Sequence, residues 1–465
     1  MERTFIKDLA EHVGESVLIK GWVSVRRDQG KMVFFDFRDM TGTVQGLVTP
    51  GSAAITTAKE TNRESVVAVT ATVQARPEKN AQPGKTNGTI ELLIEAIEIL
   101  SPAAVVPFEV NEDTSGIGEE TRLAHRYLDL RSERMQRNIR LRSELVRRCR
   151  EYLFGEMFTE IETPLLTEST PEGSRDFVVP SRLHPGKFYA LPQSPQQYKQ
   201  LLMVGGFERY FQIARAIRDE DLRADRGFEH TQIDIEMSFV TQEDVMNTVE
   251  AMVTQAVEAM GYTVKEKPFP RFTYVEAMEK FGADKFDLRT EEDKQNGVLA
   301  YAWVHRFPFF EKTPEGGWTF THNPFSMPIP EHIGQLLEKK DVGEILTTQY
   351  DLVCNGYEAG GGSIRAHKPE ILRAVYETMG YSAEETEERI GHMLKAFEFG
   401  VPPHGGIALG VERLIMNLTG ETQLREVQAF PMTRGGQTSV MKAPKELTGE
   451  QLAELGIQIK PKPAS

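Results

Sequence analysis

Between Phe211 and Glu236 the chain reads as strand, charged loop, strand, and the loop is crowded: Arg218-Asp-Glu-Asp-Leu-Arg-Ala-Asp-Arg226. Along the second run Gln232, Asp234 and Glu236 share one face while Ile233, Ile235 and Met237 take the other, the period of two that marks a strand with one apolar side. Arg218 and Glu220 share a face at the end of the first run. Taken alone, a polar strand face is more often simply wet than chemical.

The flanking sequence falls into two parts. Residues 15–100 are strand-like: in Val17–Val25, positions 17, 19, 23 and 25 form an apolar face around Gly21, and further runs follow at Met32–Phe37, Thr43–Val48, Ser65–Val73 and Thr89–Leu100. A helix-compatible Ala53–Arg63 sits between the third and fourth. Five strands with a helix there is the order of an OB-fold barrel, a frequent holder of single-stranded nucleic acid. Pro102 and Pro107 mark a linker. Glu133–Met157 then reads as a long helix with an apolar stripe through Ile139, Val146, Cys149 and Leu153. The remainder mixes strands such as Phe207–Ala216 and Thr231–Phe239 with helices such as Glu243–Met260, Pro369–Thr378 and Ala383–Phe397, without regular βαβ spacing or internal repeats. The expected class is α/β (α+β), divided as residues 1–103, a linker 104–132 and a domain 133–465. At 465 residues, 40% of them hydrophobic, there is material for a large core and a smaller one.

Absences narrow the chemistry. No GxxxxGK[ST] loop, GxGxxG after a strand, GxSxG elbow or HExxH helix occurs, so any nucleotide must be held by Arg and carboxylate side chains. The net charge of −15 argues against nucleic-acid binding through overall charge. The Arg-rich stretch 131–150 suits a solvated helix face as well as it suits a nucleic-acid contact. Cys149 and Cys354 are too few for a disulfide framework and too scattered for zinc. With no run of about 18 apolar residues and no signal-like N-terminus, a cytoplasmic location and no membrane association are expected.

The 211–236 segment resembles motif 2 of the class II aminoacyl-tRNA synthetases, an Arg-x-Glu, a loop and a returning polar strand. Gly406-Ile-Ala-Leu-Gly-Val-Glu-Arg413-Leu is similar to motif 3, and Phe158-Thr-Glu-Ile-Glu-Thr-Pro164-Leu-Leu to motif 1, whose Pro lies at a dimer interface. The resemblance implies an antiparallel-sheet catalytic domain behind an anticodon-binding barrel, and a homodimer. It places Arg218 on the α-phosphate of ATP, Glu220 near the adenine amino group and Arg413 on the distal phosphates or adenine face, these three being the catalytic set. Asp219, Arg226, His230, Gln232, Glu358 and Gly410 complete the implied ATP contacts.

The metal expectation is drawn from spacing as well. Asn355-Gly356 is a strong two-residue hairpin signal; it pairs Val353 with Glu358 and Asp351 with Gly360, making Asp351 and Glu358 diagonal neighbours that could share the Mg2+ of Mg-ATP. Lys199, in Gln193-Ser-Pro-Gln-Gln-Tyr-Lys199, and Arg365, in Gly360-Gly-Gly-Ser-Ile-Arg365, match the aspartate-specific members of the family, where such a pair grips the side-chain carboxylate, the Arg in bidentate fashion. Asp234, Gln196 and Glu172 are implied to hold the α-ammonium, with His322 lining the pocket. In the barrel, Arg26, Arg27, Gln29, Phe34, Gln45 and Glu91 match anticodon-contacting positions, Phe34 as the stacking platform.

The implied activity is therefore activation of L-aspartate with ATP to aspartyl-adenylate and transfer to the 3′ end of tRNA-Asp, with tRNA-Asn left open as a second acceptor. The rivals are asparagine or lysine as substrate, and a non-translational relative such as an asparagine-forming ligase. Three departures stand out. Bacterial relatives usually carry an inserted domain of roughly a hundred residues, where this chain has only a short Thr290–Gly297 link. His230 stands where Phe commonly stacks on adenine. Gln29 replaces a Leu or His thought to influence acceptor choice.

Overall fold

The computed structural model describes residues 1–169 and 173–460. The chain divides into two compact units, Met1–Arg134 and Met135–Ser465.

The first unit is built on a closed five-strand barrel of order β1-β2-β3-β5-β4, from β1 (Ser16–Asp28), β2 (Val33–Arg38), β3 (Thr43–Val48), β4 (Val66–Ala75) and β5 (Ile90–Ser101). A short helix, Ile55–Glu60, lies between β3 and β4. Alternation points Val17, Ile19, Val23, Phe35, Phe37, Val67, Val69, Leu92 and Ile94 into one core. The apolar face expected along β1 breaks at its last member. A bulge between Val23 and Val25 shifts the register, so Ser24 turns inward and Val25 is only half-buried.

The second unit is organised by an eight-stranded sheet. Its strands are β6 (Thr159–Glu160), β9 (Arg209–Ile217), β10 (Glu229–Ser238), β11 (Arg271–Thr273), β12 (Tyr301–His305), β15 (Gln349–Cys354), β16 (Tyr357–Ile364) and β17 (His404–Gly410). Two separate small hairpins pair β7 (Val178–Pro180) with β8 (Phe188–Ala190), and β13 (Phe310–Lys312) with β14 (Trp318–Phe320). The large sheet runs β11-β12-β15-β16-β17-β10-β9-β6 and is antiparallel except at its two edge pairs.

One face of that sheet is covered. Ile233, Ile235, Trp303, Tyr350, Leu352, Ile407 and Leu409 pack against helices Glu133–Gly155, Gln242–Glu258 and Val411–Thr419, in a core that also buries Cys149 and Cys354. Helix Gln242–Glu258 begins at a Thr241 capping box, which satisfies its first amides. On Glu133–Gly155 the buried stripe is Met135, Asn138, Leu145, Cys149 and Leu153; Ile139 and Val146 lie beside it, half-buried. The expected stripe was rotated because Asn138 is taken into the interior, where it donates to Glu421 Oε1 and the Glu426 carbonyl. Within the Arg-rich stretch, Arg147 and Arg148 pair with Glu144 and Arg150 with Glu160, while Arg142 turns inward to the buried Glu412.

The hairpin at Asn355-Gly356 pairs Val353 with Glu358 as expected, but a register shift follows and Asp351 opposes Gly361, not Gly360. Ala359 is the extra residue of that bulge. Thr290 caps a five-residue helix, Glu291–Gln295, in the short link before β12. Among the described residues, no helix is long and apolar enough to cross a membrane.

Candidate active site

The uncovered face of the sheet carries the polar residues. Register places Gln232 beside Gly410, Asp234 beside Ala408 and Glu236 beside Gly406 on β17, and Gly361 and Ser363 of β16 beyond them. The floor is made of small residues because neighbouring strands aim functional groups across it. A Cβ at Gly361 would lie 2.8 Å from Asp351 Oδ1, and one at Gly406 would lie 2.2 Å from Glu236 Oε2. Above this floor opens a cleft of about 300 Å3. It brings together Gln196, Lys199, Arg218, Glu220, Arg226, His230, Gln232, Asp234, His322, Glu358, Arg365, Gly410 and Arg413, residues spread over more than two hundred positions of sequence.

At one end lies a buried quartet of two cations and two carboxylates. Lys199 Nζ is 2.6 Å from Asp234 Oδ1 and 3.2 Å from Glu236 Oε2. Arg365 presents its Nε and Nη2 to the two oxygens of Glu236 at 2.9 and 3.1 Å. None of the four side chains is more than 3% exposed. Glu236, unassigned by sequence reasoning, is thus the hub of the site, and its only signal was its place on the face of Gln232 and Asp234.

This geometry corrects the expected grip of Arg365. Its bidentate edge belongs to Glu236, Nη1 donates to Ser363 Oγ at 2.9 Å, and Nη2 also reaches the Gly406 carbonyl at 3.2 Å. Among the described residues, four of the five guanidinium N–H groups are used, which leaves one on Nη1 for a ligand. Burial pushes the Asp234 carboxyl up, Glu236 adds to that, and Lys199 offsets part of it. For Glu236 burial acts the same way, but Arg365 and Lys199 outweigh it and hold the group down at about 2. Among the described residues, Asp234 Oδ2 is buried without a hydrogen-bond partner. Such an acceptor is costly unless something donates to it.

The other end is cationic and more open. Arg218 follows β9 and donates through Nε to the Gln193 carbonyl at 3.2 Å. Glu220 accepts from the Ser174 hydroxyl and lies 3.7 Å from Arg226. Arg413, in the helix that follows β17, donates to the Glu358 carbonyl at 3.0 Å and pairs with Asp225 at 3.2 Å. Between them stands His230. Burial, then the charges of Arg218 and Arg413, push its pKa down to about 3, so its ring is neutral near pH 7. Asp219 turns elsewhere, to Arg175 at 3.4 Å, because its backbone amide is bridged to the Arg175 carbonyl.

Asp351 and Glu358 have different surroundings. Asp351 is buried, accepts from Gln349 at 2.8 Å and sits 3.5 Å from His322 Nε2. Glu358 takes Lys285 at 2.8 Å and lies 3.7 Å from Arg413. Burial pushes Asp351 up; Glu358, opposed by its own burial, is drawn down to about 2 by Lys285 and Arg413. No cluster of three or more His, Cys, Asp or Glu suited to a metal occurs among the described residues. The two carboxylates still match a magnesium ion completed by substrate phosphates, since Mg2+ is commonly held by one or two carboxylates plus phosphate and water. Among the described residues Asp351 Oδ2 accepts no well-formed hydrogen bond, and its nearest charged neighbour is His322 Nε2 at 3.5 Å. Glu172 lies outside the described residues.

On the barrel, Arg27 opposes Phe34 and Gln45 opposes Asp36, so Arg27, Phe34 and Gln45 share the outer face. Arg26 opposes Phe35, whose ring is in the core, so the structure separates it from Arg27. Glu91 is buried and accepts from Gln74 at 2.9 Å. Gln29 is exposed in the turn after β1.

The first unit is thus a barrel of this order, and the second a largely antiparallel sheet whose glycine-lined face carries buried Arg and carboxylate groups. Residues 118–434 match the tRNA synthetases class II (D, K and N), and residues 17–100 match the OB-fold nucleic acid binding domain. The chain belongs to the class II tRNA synthetases of that group, ATP-dependent aminoacyl-tRNA ligases. Among curated relatives, the aspartate–tRNA(Asp/Asn) ligase of Phenylobacterium zucineum (strain HLK1) is 37% identical over 578 residues, which covers 97% of each chain. The aspartate–tRNA ligase of Geobacillus kaustophilus (strain HTA426) is 37% identical over 589 residues, covering 99% of each. Both alignments are longer than this 465-residue chain, so each relative carries residues without a counterpart here, in keeping with a missing insertion. Among solved structures, the aspartyl tRNA synthetase from Entamoeba histolytica shares the fold at a TM-score of 0.74 and 23% identity, over 93% of this chain and 91% of that one.

Proposed function

We propose that this chain activates L-aspartate with ATP and transfers it to tRNA-Asp. The observation that carries the reading is the buried quartet Lys199, Asp234, Glu236 and Arg365 at the closed end of the cleft. The substrate's side-chain carboxylate lies between the free N–H of Arg365 and the ammonium of Lys199. Its α-ammonium meets Asp234 Oδ2 and the amide oxygen of Gln196, and Glu172, outside the described residues, is the third partner in this reading. Asparagine is rejected because its amide brings no negative charge to the N–H groups that Lys199 and Arg365 still offer, and buried donors left without their acceptor discriminate strongly. His322 orders this end by its contact with Asp351.

ATP occupies the open end. Adenine lies against neutral His230, with Glu220 near its amino group; Arg226 and Arg413 hold the distal phosphates; Gln232 and Gly410 border the ribose side. The α-carboxylate attacks the α-phosphorus, the bond to pyrophosphate breaks, and Arg218 stabilises the charge that develops on the phosphoryl oxygens. In the second step the 3′-terminal ribose hydroxyl of tRNA attacks the carbonyl of the mixed anhydride and AMP leaves. No covalent enzyme intermediate forms; positioning and fixed charge lower the barrier. Asp351 and Glu358 would hold Mg2+, which when bound would neutralise charge on the ATP phosphates.

The reading includes a cytoplasmic homodimer, to which motif 1 and the exposed Phe154, Met157, Leu165 and Leu166 around it belong. It also includes a barrel that reads the anticodon with Arg27, Phe34 and Gln45, and Arg26, Gln29 and Glu91 around them. The domain boundaries proposed are residues 1–103, 104–132 and 133–465. The test is charging of separate tRNA-Asp and tRNA-Asn transcripts with labelled aspartate. Charging of tRNA-Asp is expected, and failure to charge it would overturn the reading. Charging of tRNA-Asn as well would place this chain with the relatives named for both acceptors.

A further inference from the structure

We propose that Gln200 and His404, neither of which touches the cleft substrate, are positioning residues that fix Gln196 with its amide oxygen facing the α-ammonium. The inference deepens the aspartate reading and rests on it.

Three buried side chains are linked in series behind the amino-acid end. Gln196 Nε2 lies 3.0 Å from Gln200 Oε1, Gln200 Nε2 lies 3.2 Å from His404 Nε2, and His404 Nδ1 lies 2.8 Å from the Pro402 carbonyl. Gln200 and His404 are wholly buried, and Gln196 is 8% exposed where it lines the cleft. The direction of every bond follows from the last one. A carbonyl can only accept, so Nδ1 carries the proton. In the neutral ring Nε2 is then an acceptor and must receive the Gln200 amide N–H. That turns the Gln200 oxygen toward Gln196, which donates to it through Nε2. The remaining polar atom of Gln196, its oxygen, is left for the cleft.

Reversal of any link reverses the outcome. An imidazolium at His404 would donate from Nε2, Gln200 would flip to accept, and Gln196 would present an NH2 to a positively charged group. The surroundings oppose that state. Burial pushes the His404 pKa down to about 4, Glu236 and the Pro402 carbonyl oppose it, and Arg365 and His367 add to the lowering. Without a neutral acceptor at position 404, Gln200 is free to flip and no longer fixes which end of the Gln196 amide faces the cleft.

Pyrophosphate exchange by the full-length chain tests the relay, with aspartate as substrate and succinate, which keeps both carboxylates and lacks the ammonium, as competitive inhibitor. Gln200→Met and His404→Leu should each raise the KM for aspartate about tenfold, the scale of one misdirected hydrogen bond to a charged group. The kcat, the KM for ATP and the Ki of succinate should stay within about twofold. His404→Gln, whose side-chain oxygen can accept from Gln200, should recover most of the loss. Equal weakening of aspartate and succinate, or an unchanged KM, would overturn the relay. Nitrogen-15 spectra of the unsubstituted protein at pH 7 provide a check that needs no variant: a neutral His404 with the proton on Nδ1 is expected, and an imidazolium or an Nε2–H form would overturn the proposal. Should another amino acid prove to be the one that drives exchange, the aspartate assignment fails while the relay is read in the same way, with that amino acid and its des-amino analogue.

Discussion

The two ends of the cleft are built on opposite plans. At the closed end, proposed for the amino acid, the charges are buried and held by one another, Lys199 and Arg365 against Asp234 and Glu236. At the open end, proposed for ATP, Arg226 is 42% exposed and Arg413 and Glu358 are between a fifth and a third exposed. A small ligand distinguished from its isostere by one charge needs a site whose own charges cannot move or rehydrate, so the discriminating groups are preassembled. A large, highly charged nucleotide is recognised by many contacts, and its Arg side chains can remain partly in water until it arrives.

The largest effect that would sharpen this contrast is at the hub. Glu236→Gln removes one carboxylate from a quartet whose cations stay buried, and loss of one partner of a buried pair costs about 3–5 kcal/mol. Chemical denaturation should show a stability loss of that order, and saturating aspartate should restore more stability to the variant than it adds to the unsubstituted protein. A loss under about 1 kcal/mol would mean that the quartet is not the rigid element. The pH dependence agrees in sign. Glu236 is held at about 2, below its ordinary 4.5, so its contribution to stability is complete above pH 4.5 and is lost as pH falls toward 2.

At the open end Arg218→Ala should lower aspartate-dependent pyrophosphate exchange at least about a hundredfold, the scale of one lost transition-state charge contact, with little change in stability. Near-normal exchange would remove its role. The two substitutions together test the division directly, since the first acts mainly on folding and the second on rate.

Much of this was legible in sequence, for reasons that differ from element to element. The barrel could be read because five strand-like runs follow one another with a helix-compatible stretch between the third and fourth, and the motif 2 strand because Gln232, Asp234 and Glu236 share one face at a period of two. The bulges at Val23/Val25 and at Ala359 could not, because an extra residue leaves no mark on composition and yet flips every side chain beyond it. The hub role of Glu236 was hidden for another reason. Which cation a carboxylate meets depends on Arg365, 129 positions away, and no local pattern encodes that pairing. Asp219 was misplaced because its partner Arg175 comes from a loop, where spacing carries no periodicity.

The smallest expected effect tests the open end most closely. His230 replaces an aromatic hydrocarbon ring, and the contrast between the ends predicts that it behaves as one, because burial and the charges of Arg218 and Arg413 keep it neutral. His230→Phe should therefore change the KM for ATP by less than about threefold, both rings offering a flat apolar face to adenine. The same substitution should flatten the acid side of the stability curve. With a folded pKa of about 3 against an ordinary 6.5, the unfolded chain binds a proton that the folded chain does not throughout that window. Stability therefore rises with pH from 3 to 6.5, and His230 carries no penalty above it. Thermal midpoints between pH 4 and 7 should fall less steeply in the Phe variant. A KM rise beyond about tenfold, or an unchanged slope, would show instead that the imidazole is charged or hydrogen-bonded to the nucleotide, and the open end would then be as specifically preassembled as the closed one.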